Sequence, residues 1–415
     1  MILCILLITV ISLIINFIQF KNFLNFVNVF LLMWCVASVL SWFGFYGMYV
    51  PPMEAYLYIF ILLFMFELSC LLFLRINTIT HTEKQIFSLN WRKINIFSII
   101  CTIIITPFAI KGIALVLAEG FYRLRLTGFT EMLYSNQEKL LLINIIQPLV
   151  LAISILSLIE LIKNKKVRVS LIISVFNCLL YILVFGGRWL LLEFLLLAGI
   201  ILIDIYGANI IKLVKNNRLL IVVIASIFLT IALITNQRSV GGGEGLLYNV
   251  YVYFVGSLHL FGVYISNPLV YSLGTEHLLF GREFFAGILE PIYLIANFSG
   301  LDWKSGIESI NEVTQQFVAV SPATYMNNNV TMIYAFLRDF GFLGIIICPV
   351  IIGAVYTHLY KAKKQSPNDY RESIYYYGLS IMPFLLFEWM PARMSIIMVP
   401  IFLFLLTRKS FFKIR

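Results

Sequence analysis

Apolar stretches long enough to cross a bilayer follow one another along nearly the whole chain, and only the interval from about Thr235 to Val330 interrupts them. A hydrocarbon core of about 30 Å takes roughly 20 apolar residues in a helix, and backbone at that depth must satisfy its own hydrogen bonds. The 415 residues are 61% hydrophobic and 12% charged, with a mean hydropathy of +0.95; no soluble domain solvates such a surface. The expected fold is therefore all-α and polytopic. Spans are read at 2–20, 24–43, 55–75, 95–118, 139–162, 169–186, 189–206, 219–235, 331–357, 373–390 and 394–407, about 11 crossings. This divides the chain into an amino-terminal bundle over 1–235, a large loop region over 236–330 and a carboxy-terminal bundle over 331–415.

Lysine and arginine set the orientation, because positive charge collects in cytoplasmic connections. The connections carrying Lys84, Arg92 and Lys93, then Lys163, Lys165, Lys166 and Arg168, then Lys212, Lys215 and Arg218, then Lys361, Lys363, Lys364 and Arg371 alternate along the chain. They belong in the cytoplasm with the carboxy-terminal Arg408, Lys409, Lys413 and Arg415. The net charge of +10 is thus a topology signal and an attraction for lipid headgroups, not a nucleic-acid footprint. Counting outward places 236–330 on the outer face.

The first apolar run lacks a basic start and a small-residue cleavage site, so it reads as a retained span. Cys4, Cys35, Cys70, Cys101, Cys178 and Cys348 lie in or beside apolar runs with no metal-ligand spacing, which makes them packing residues. No Walker A sequence is present, which argues against ATP hydrolysis.

The outer interval opens with Asn236-Gln237-Arg238-Ser239 and the triplet Gly241-Gly242-Gly243. An arginine beside glycines offers a charged fork and backbone N–H groups to an anion; a flexible exit loop has the same composition. Leu246 to Ile265 is rich in tyrosine and phenylalanine and carries His259, and Leu278 to Phe298 carries Arg282, Glu283 and Glu290. Both are expected to be helices lying in the outer interface, with a thirteen-span arrangement as the alternative. Further on, Arg338-Asp339 sits inside an apolar run, where a charge costs about 2.5–3.5 kcal/mol near the bilayer centre unless it is partnered or lines a wet cavity. Arg188, in the turn Phe185-Gly186-Gly187-Arg188-Trp189, and Arg393, in Pro391-Ala392-Arg393, add positive charge on the same outer side. Arginine forks there suit a diphosphate, which they meet bidentately.

The Gly-Gly-Arg turn, the arginine and glycines opening a large late loop, and the run from Asn329-Val330-Thr331 to Asp339-Phe340-Gly341 together resemble the Wzy family. These are oligosaccharide repeat-unit polymerases of O-antigen and capsule synthesis, similar in architecture to O-antigen ligases. The resemblance implies a glycosyltransferase of the bacterial inner membrane. It moves a glycan from undecaprenyl diphosphate to a new lipid-linked repeat unit, using neither metal nor cofactor. A chain-length regulator and a flippase are the partners it implies, besides membrane lipid, and nucleic acid is not among them.

Within that chemistry, charge developing on the leaving diphosphate calls for fixed cations. Arg188, Arg238 and Arg338 are the expected ones, with Arg282 and Arg393 in reserve and Asn329 as a further substrate contact. The attacking sugar hydroxyl needs a base within reach. His259, His277 with the adjoining Glu276, and Asp339 are the choices. The rival function is a lipid-linked oligosaccharide flippase, which would spread polar residues along a path through both leaflets; beyond Glu67 and Asp204 the inner-half spans show few.

Overall fold

Long apolar helices dominate, as the repeating hydropathy demands. The computed structural model describes residues 1–20, 25–76, 89–128, 133–207 and 246–408. The expected span at 219–235, Arg238 and the glycine triplet after it lie outside these described residues. Six described helices are long and apolar enough to cross a membrane: Ile2–Phe20, Met53–Arg75, Trp91–Glu119, Asn136–Asn164, Trp189–Tyr206 and Phe342–Gln365. Phe26–Trp42, Val169–Phe185, Ala286–Phe298 and Met394–Thr407 are apolar but shorter. Among the described residues the only strands are the two-residue pair Val318–Ala319 and Tyr325–Met326, joined antiparallel. The protein is an all-α membrane protein.

The chain forms two compact units interleaved in sequence. The first takes Met1–His81, Gly245–Ser366 and Ile381–Ile397. Its centre is the packing of α1 (Ile2–Phe20), α2 (Phe26–Trp42) and α3 (Met53–Arg75) with the long helix Phe342–Gln365. Small residues permit close approach there, as is usual between membrane helices: a Cβ on Gly353 would come within 2.9 Å of Phe66 O and of Ser69 Cβ. Ser69 Oγ donates to Val350 O at 2.7 Å. Lys361 closes α3 by donating to Phe73 O and Ile76 O, each at 2.6 Å, which satisfies carbonyls the helix end leaves open. Asn16 Nδ2 donates to Glu67 Oε2 at 3.1 Å, so the buried Glu67 shares a polar contact between α1 and α3.

The second unit takes Thr82–Glu244, Pro367–Ser380 and Met398–Arg415. Here α4 (Trp91–Glu119) packs along the helix Val169–Phe185. A Cβ on Gly112 would sit 1.7 Å from Leu183 O, so only glycine fits that crossing. Tyr134 Oη bridges the same pair through Phe108 O and Val184 O, both at 3.0 Å. Lys163 pairs with Glu372 at 2.7 Å, and Arg168 pairs with Glu160 at 2.6 Å while lying over the Trp91 ring.

Two expected spans and one expected interface helix take other forms. The run at 331–357 breaks at Gly341, whose φ of +58° ends a nine-residue helix, Met332–Phe340, before Phe342–Gln365 begins. The run at 373–390 is helical over Asp369–Ile381 and continues as 3₁₀ turns at Met382–Leu386 and Met390–Ala392. Of 278–298 only Ala286–Phe298 is α-helical, preceded by a turn with Phe280 and Gly281 both at positive φ.

Glycine in a helix interior is ordinarily worse than alanine by about 1 kcal/mol. A Cβ added at Gly199 would point into open space, with nothing within 4 Å, whereas one at Gly112 meets backbone at 1.7 Å. The two alanine substitutions therefore have opposite signs. Gly199→Ala raises the thermal midpoint of the detergent-solubilised protein, and Gly112→Ala lowers it by the equivalent of about 1–3 kcal/mol.

Candidate functional site

The break at Gly341 places the last turn of Met332–Phe340 beside the 279–285 turn, and the two are stitched by backbone. Leu279 N donates to Arg338 O at 3.0 Å and Phe280 N to Asp339 O at 2.9 Å. The Asp339 carboxylate then receives the N–H of Glu283 at 3.1 Å and the N–H of Phe284, with Gly281 also directed at it. Holding an aromatic residue, Phe280, in the left-handed region costs energy. These bonds to Asp339 are what hold it.

Arg338 is buried in the same knot. It donates to Ser309 O at 3.0 Å and to Ser309 Oγ at 3.1 Å, and its Nη1 lies 2.7 Å from Glu283 Oε1. That last contact is an ion pair by distance but not a directional hydrogen bond, since neither Glu283 oxygen has an aligned donor. The guanidinium also covers the Tyr334 ring at 5.6 Å. Tyr334 donates to Tyr271 O at 3.1 Å and meets Tyr264, which stacks on Tyr271 with centroids 3.9 Å apart.

Two buried carboxylates facing one arginine cannot both stay ionised cheaply. Asp339 has backbone donors to support its charge; Glu283 has none. Burial therefore pushes the Glu283 carboxyl up to about 8, against the opposing pull of Arg338 and with a further push from Asp339.

Around this sealed centre the other arginines are reachable from outside. Arg282 is half-buried, donates to Lys304 O and lies 5.8 Å above the Tyr293 ring. Gly306 meets it closely, because a Cβ there would fall 2.2 Å from Arg282 O; the capping box of Ser305 and Glu308 starts the helix Gly306–Thr314 at that point. Arg393 is exposed and paired with Glu388 at 2.7 Å. Its segment docks on the knot: Trp389 Nε1 donates to Phe284 O at 2.8 Å and its ring stacks on Phe284, and a Cβ on Gly287 would lie 2.3 Å from Pro391 O.

The structure thus brings Arg282, Arg338 and Asp339 into one knot with the Arg393 segment against it. The other expected residues of this unit lie elsewhere in it. His259 is buried on the helix Leu246–Ser266, its Nδ1 2.8 Å from Tyr49 O and its Nε2 3.1 Å from Tyr251 Oη, so both ring nitrogens are engaged. His277 and Glu276 are exposed on a 3₁₀ turn, 3.8 Å apart. Asn329 follows the small ribbon, its N–H donating to Asn327 O at 2.7 Å. Arg188 belongs to the second unit, at the start of the helix Trp189–Tyr206, after Gly186, which turns at φ +61° over Arg125. Arg238 lies outside the described residues. Glu283, Ser309 and Trp389 went unassigned by the sequence; the one signal for Glu283 is its place beside Arg282 in a largely apolar segment.

Compared with known proteins, the chain matches no family model, no curated protein and no solved structure.

Glu283 also sets a pH dependence. A carboxyl whose folded pKa is raised binds its proton more tightly when folded, so its stabilising contribution is full at low pH and is lost as pH rises toward about 8. The thermal midpoint of the wild type should fall across that window, and Glu283→Gln should flatten the fall. Above about pH 8, where Glu283 is ionised, Arg338→Met leaves a buried carboxylate uncompensated and should cost about 3–5 kcal/mol. Adding Glu283→Gln to it should recover much of the loss in a double-mutant cycle.

Proposed function

We propose that this chain is a polysaccharide polymerase of the kind its sequence resembles. It joins undecaprenyl-diphosphate-linked oligosaccharide repeat units on the outer face of a bacterial inner membrane, with release of undecaprenyl diphosphate. In this reading about 11 spans place the carboxy terminus in the cytoplasm, and 236–330 forms the outer region that holds the reacting sugars. The observation that carries the proposal is the gathering of Arg282, Arg338 and Arg393 around the Phe342 end of a membrane-length helix. A lipid diphosphate presents its charge at that depth.

The roles divide by accessibility. Arg282 and Arg393 reach the diphosphate and stabilise the charge it gains as the glycosidic bond breaks. Arg338 holds the frame behind them, with Asp339 and Glu283. Of the expected bases, His277 beside Glu276 is exposed and free to take the proton of the attacking hydroxyl, while His259 is enclosed.

Reconstituted in liposomes with a lipid-linked repeat unit and no nucleotide, the protein should produce a ladder of glycan lengths. Arg282→Ala and Arg393→Ala should each slow the ladder by about 100-fold or more, His277→Ala should slow it comparably, and all three should keep the wild-type thermal midpoint. Movement of labelled lipid-linked glycan between leaflets without a ladder would replace the polymerase with the carrier.

A further inference from the structure

Helix Ala286–Phe298 keeps one side against the protein and leaves the other bare. Ala286, Gly287 and Ala296 are buried, while Ile288, Ile292, Ile295 and Phe298 are 58%, 55%, 67% and 75% exposed. Those four recur at helical spacing with Phe285 before them, so they form one continuous apolar stripe. A stripe of that size in water would be an aggregation liability.

The depth of this stripe follows from its attachments. The long helix Phe342–Gln365 carries Lys361, Lys363 and Lys364 near one end, so Phe342 marks its opposite membrane boundary. Its own bare side chains, Phe342, Leu343, Ile347, Ile351 and Val355, run along it as a lipid-facing row. The 279–285 turn is bonded to Arg338 O and Asp339 O, a few residues before Phe342. Phe280, 80% exposed, and Phe285 carry the bare apolar surface from the span to the short helix. Thirteen residues make about 20 Å of helix, too short for a core of about 30 Å, so the helix cannot cross. Tyr293, Trp303, Arg282 and Lys304 border it, and the first two pack edge to face. Aromatic and basic side chains of this kind settle at the headgroup level.

We propose that helix Ala286–Phe298 is an in-plane membrane contact: its Phe285–Phe298 stripe lies among the acyl chains of the leaflet at the Phe342 end, with Trp303 and Lys304 at the headgroups. The occupant of the bare face is bilayer lipid, and the assignment holds for a polymerase and for a carrier alike. It keeps Arg282 and the knot at headgroup depth, where the charged end of any lipid substrate resides.

Nitroxides introduced by Ile288→Cys, Ile292→Cys and Ile295→Cys test this in phosphatidylethanolamine–phosphatidylglycerol proteoliposomes. The background carries Cys4→Ser, because the other five cysteines are buried, and the exposed Gln316→Cys serves as the water-facing control. All four substitutions replace side chains outside the core, so they report on the folded protein. The expected result is several-fold greater collision with oxygen relative to nickel-EDDA at the three stripe positions than at Gln316→Cys. Access of nickel-EDDA equal to that of the control would put the stripe in water. Exclusion of both reagents with an immobilised lineshape would put a protein partner over it. Either result overturns the assignment.

Discussion

The carboxylate of Asp339 is the point on which the organisation of the first unit turns. By accepting backbone N–H groups of the 281–284 turn it fastens a strained segment to the end of the nine-residue helix Met332–Phe340, just before the membrane-length helix begins. Without that acceptor the turn would leave buried donors unmatched, at about 1–3 kcal/mol each. Everything beyond the turn inherits its position. Glu283 is aimed at Arg338, the Phe284 ring and carbonyl receive Trp389, Arg282 presents its carbonyl to Gly306, and Ala286 begins the short helix. Segments as far apart in sequence as 282, 306, 338 and 389 are gathered by one acidic side chain and a few glycine-sized approaches.

The charge balance at this point has a chemical consequence. Arg338 lies against Glu283 within reach of the charge on Asp339, and its two terminal nitrogens also donate to Ser309. A guanidinium so committed is a structural cation. Its neighbours Arg282 and Arg393 differ: one leans on a carbonyl and an aromatic ring, the other pairs with a carboxylate at the surface. An incoming anion can compete for these, because exposed pairs are worth at most about 1 kcal/mol. A buried, tightly packed core surrounded by loosely held cations is the arrangement that preorganised binding of a charged group requires. The division of labour among the arginines therefore follows from burial and not from residue type.

Much of the helical architecture was legible, because bilayer-length apolar runs admit few alternatives. Helices at Ile2–Phe20, Met53–Arg75 and Trp189–Tyr206 lie close to the runs that announce them. The break at Gly341 was not legible, because the residues on both sides are apolar and a single left-handed glycine leaves no mark in hydropathy. The charged pair Arg338-Asp339 did signal that something unusual happens there. Its resolution depends on Glu283 and Ser309, respectively 55 and 29 residues from their partners in the chain, a distance that no local pattern spans. His259 shows the same limit. The sequence offers a histidine among aromatics, and only the fold reveals that a carbonyl 210 residues away engages its Nδ1.

The segment from Leu278 to Phe298 looked like a poor membrane span because Arg282, Glu283 and Glu290 interrupt it, and the structure gives those charges a common direction. Arg282 and Glu283 precede the helix and turn toward the knot, and Glu290 faces Ser305 on the protein side. The isoleucines point the other way. Averaged hydropathy treats the charges as a defect in an apolar segment, whereas beside a helix lying in the plane of the membrane they mark its inner side. The same three charges that rule out crossing thus fix which side of the helix meets lipid. A membrane protein that must hold cations at headgroup depth gains from such a helix, since burial of the apolar stripe in lipid opposes any movement of the knot into water.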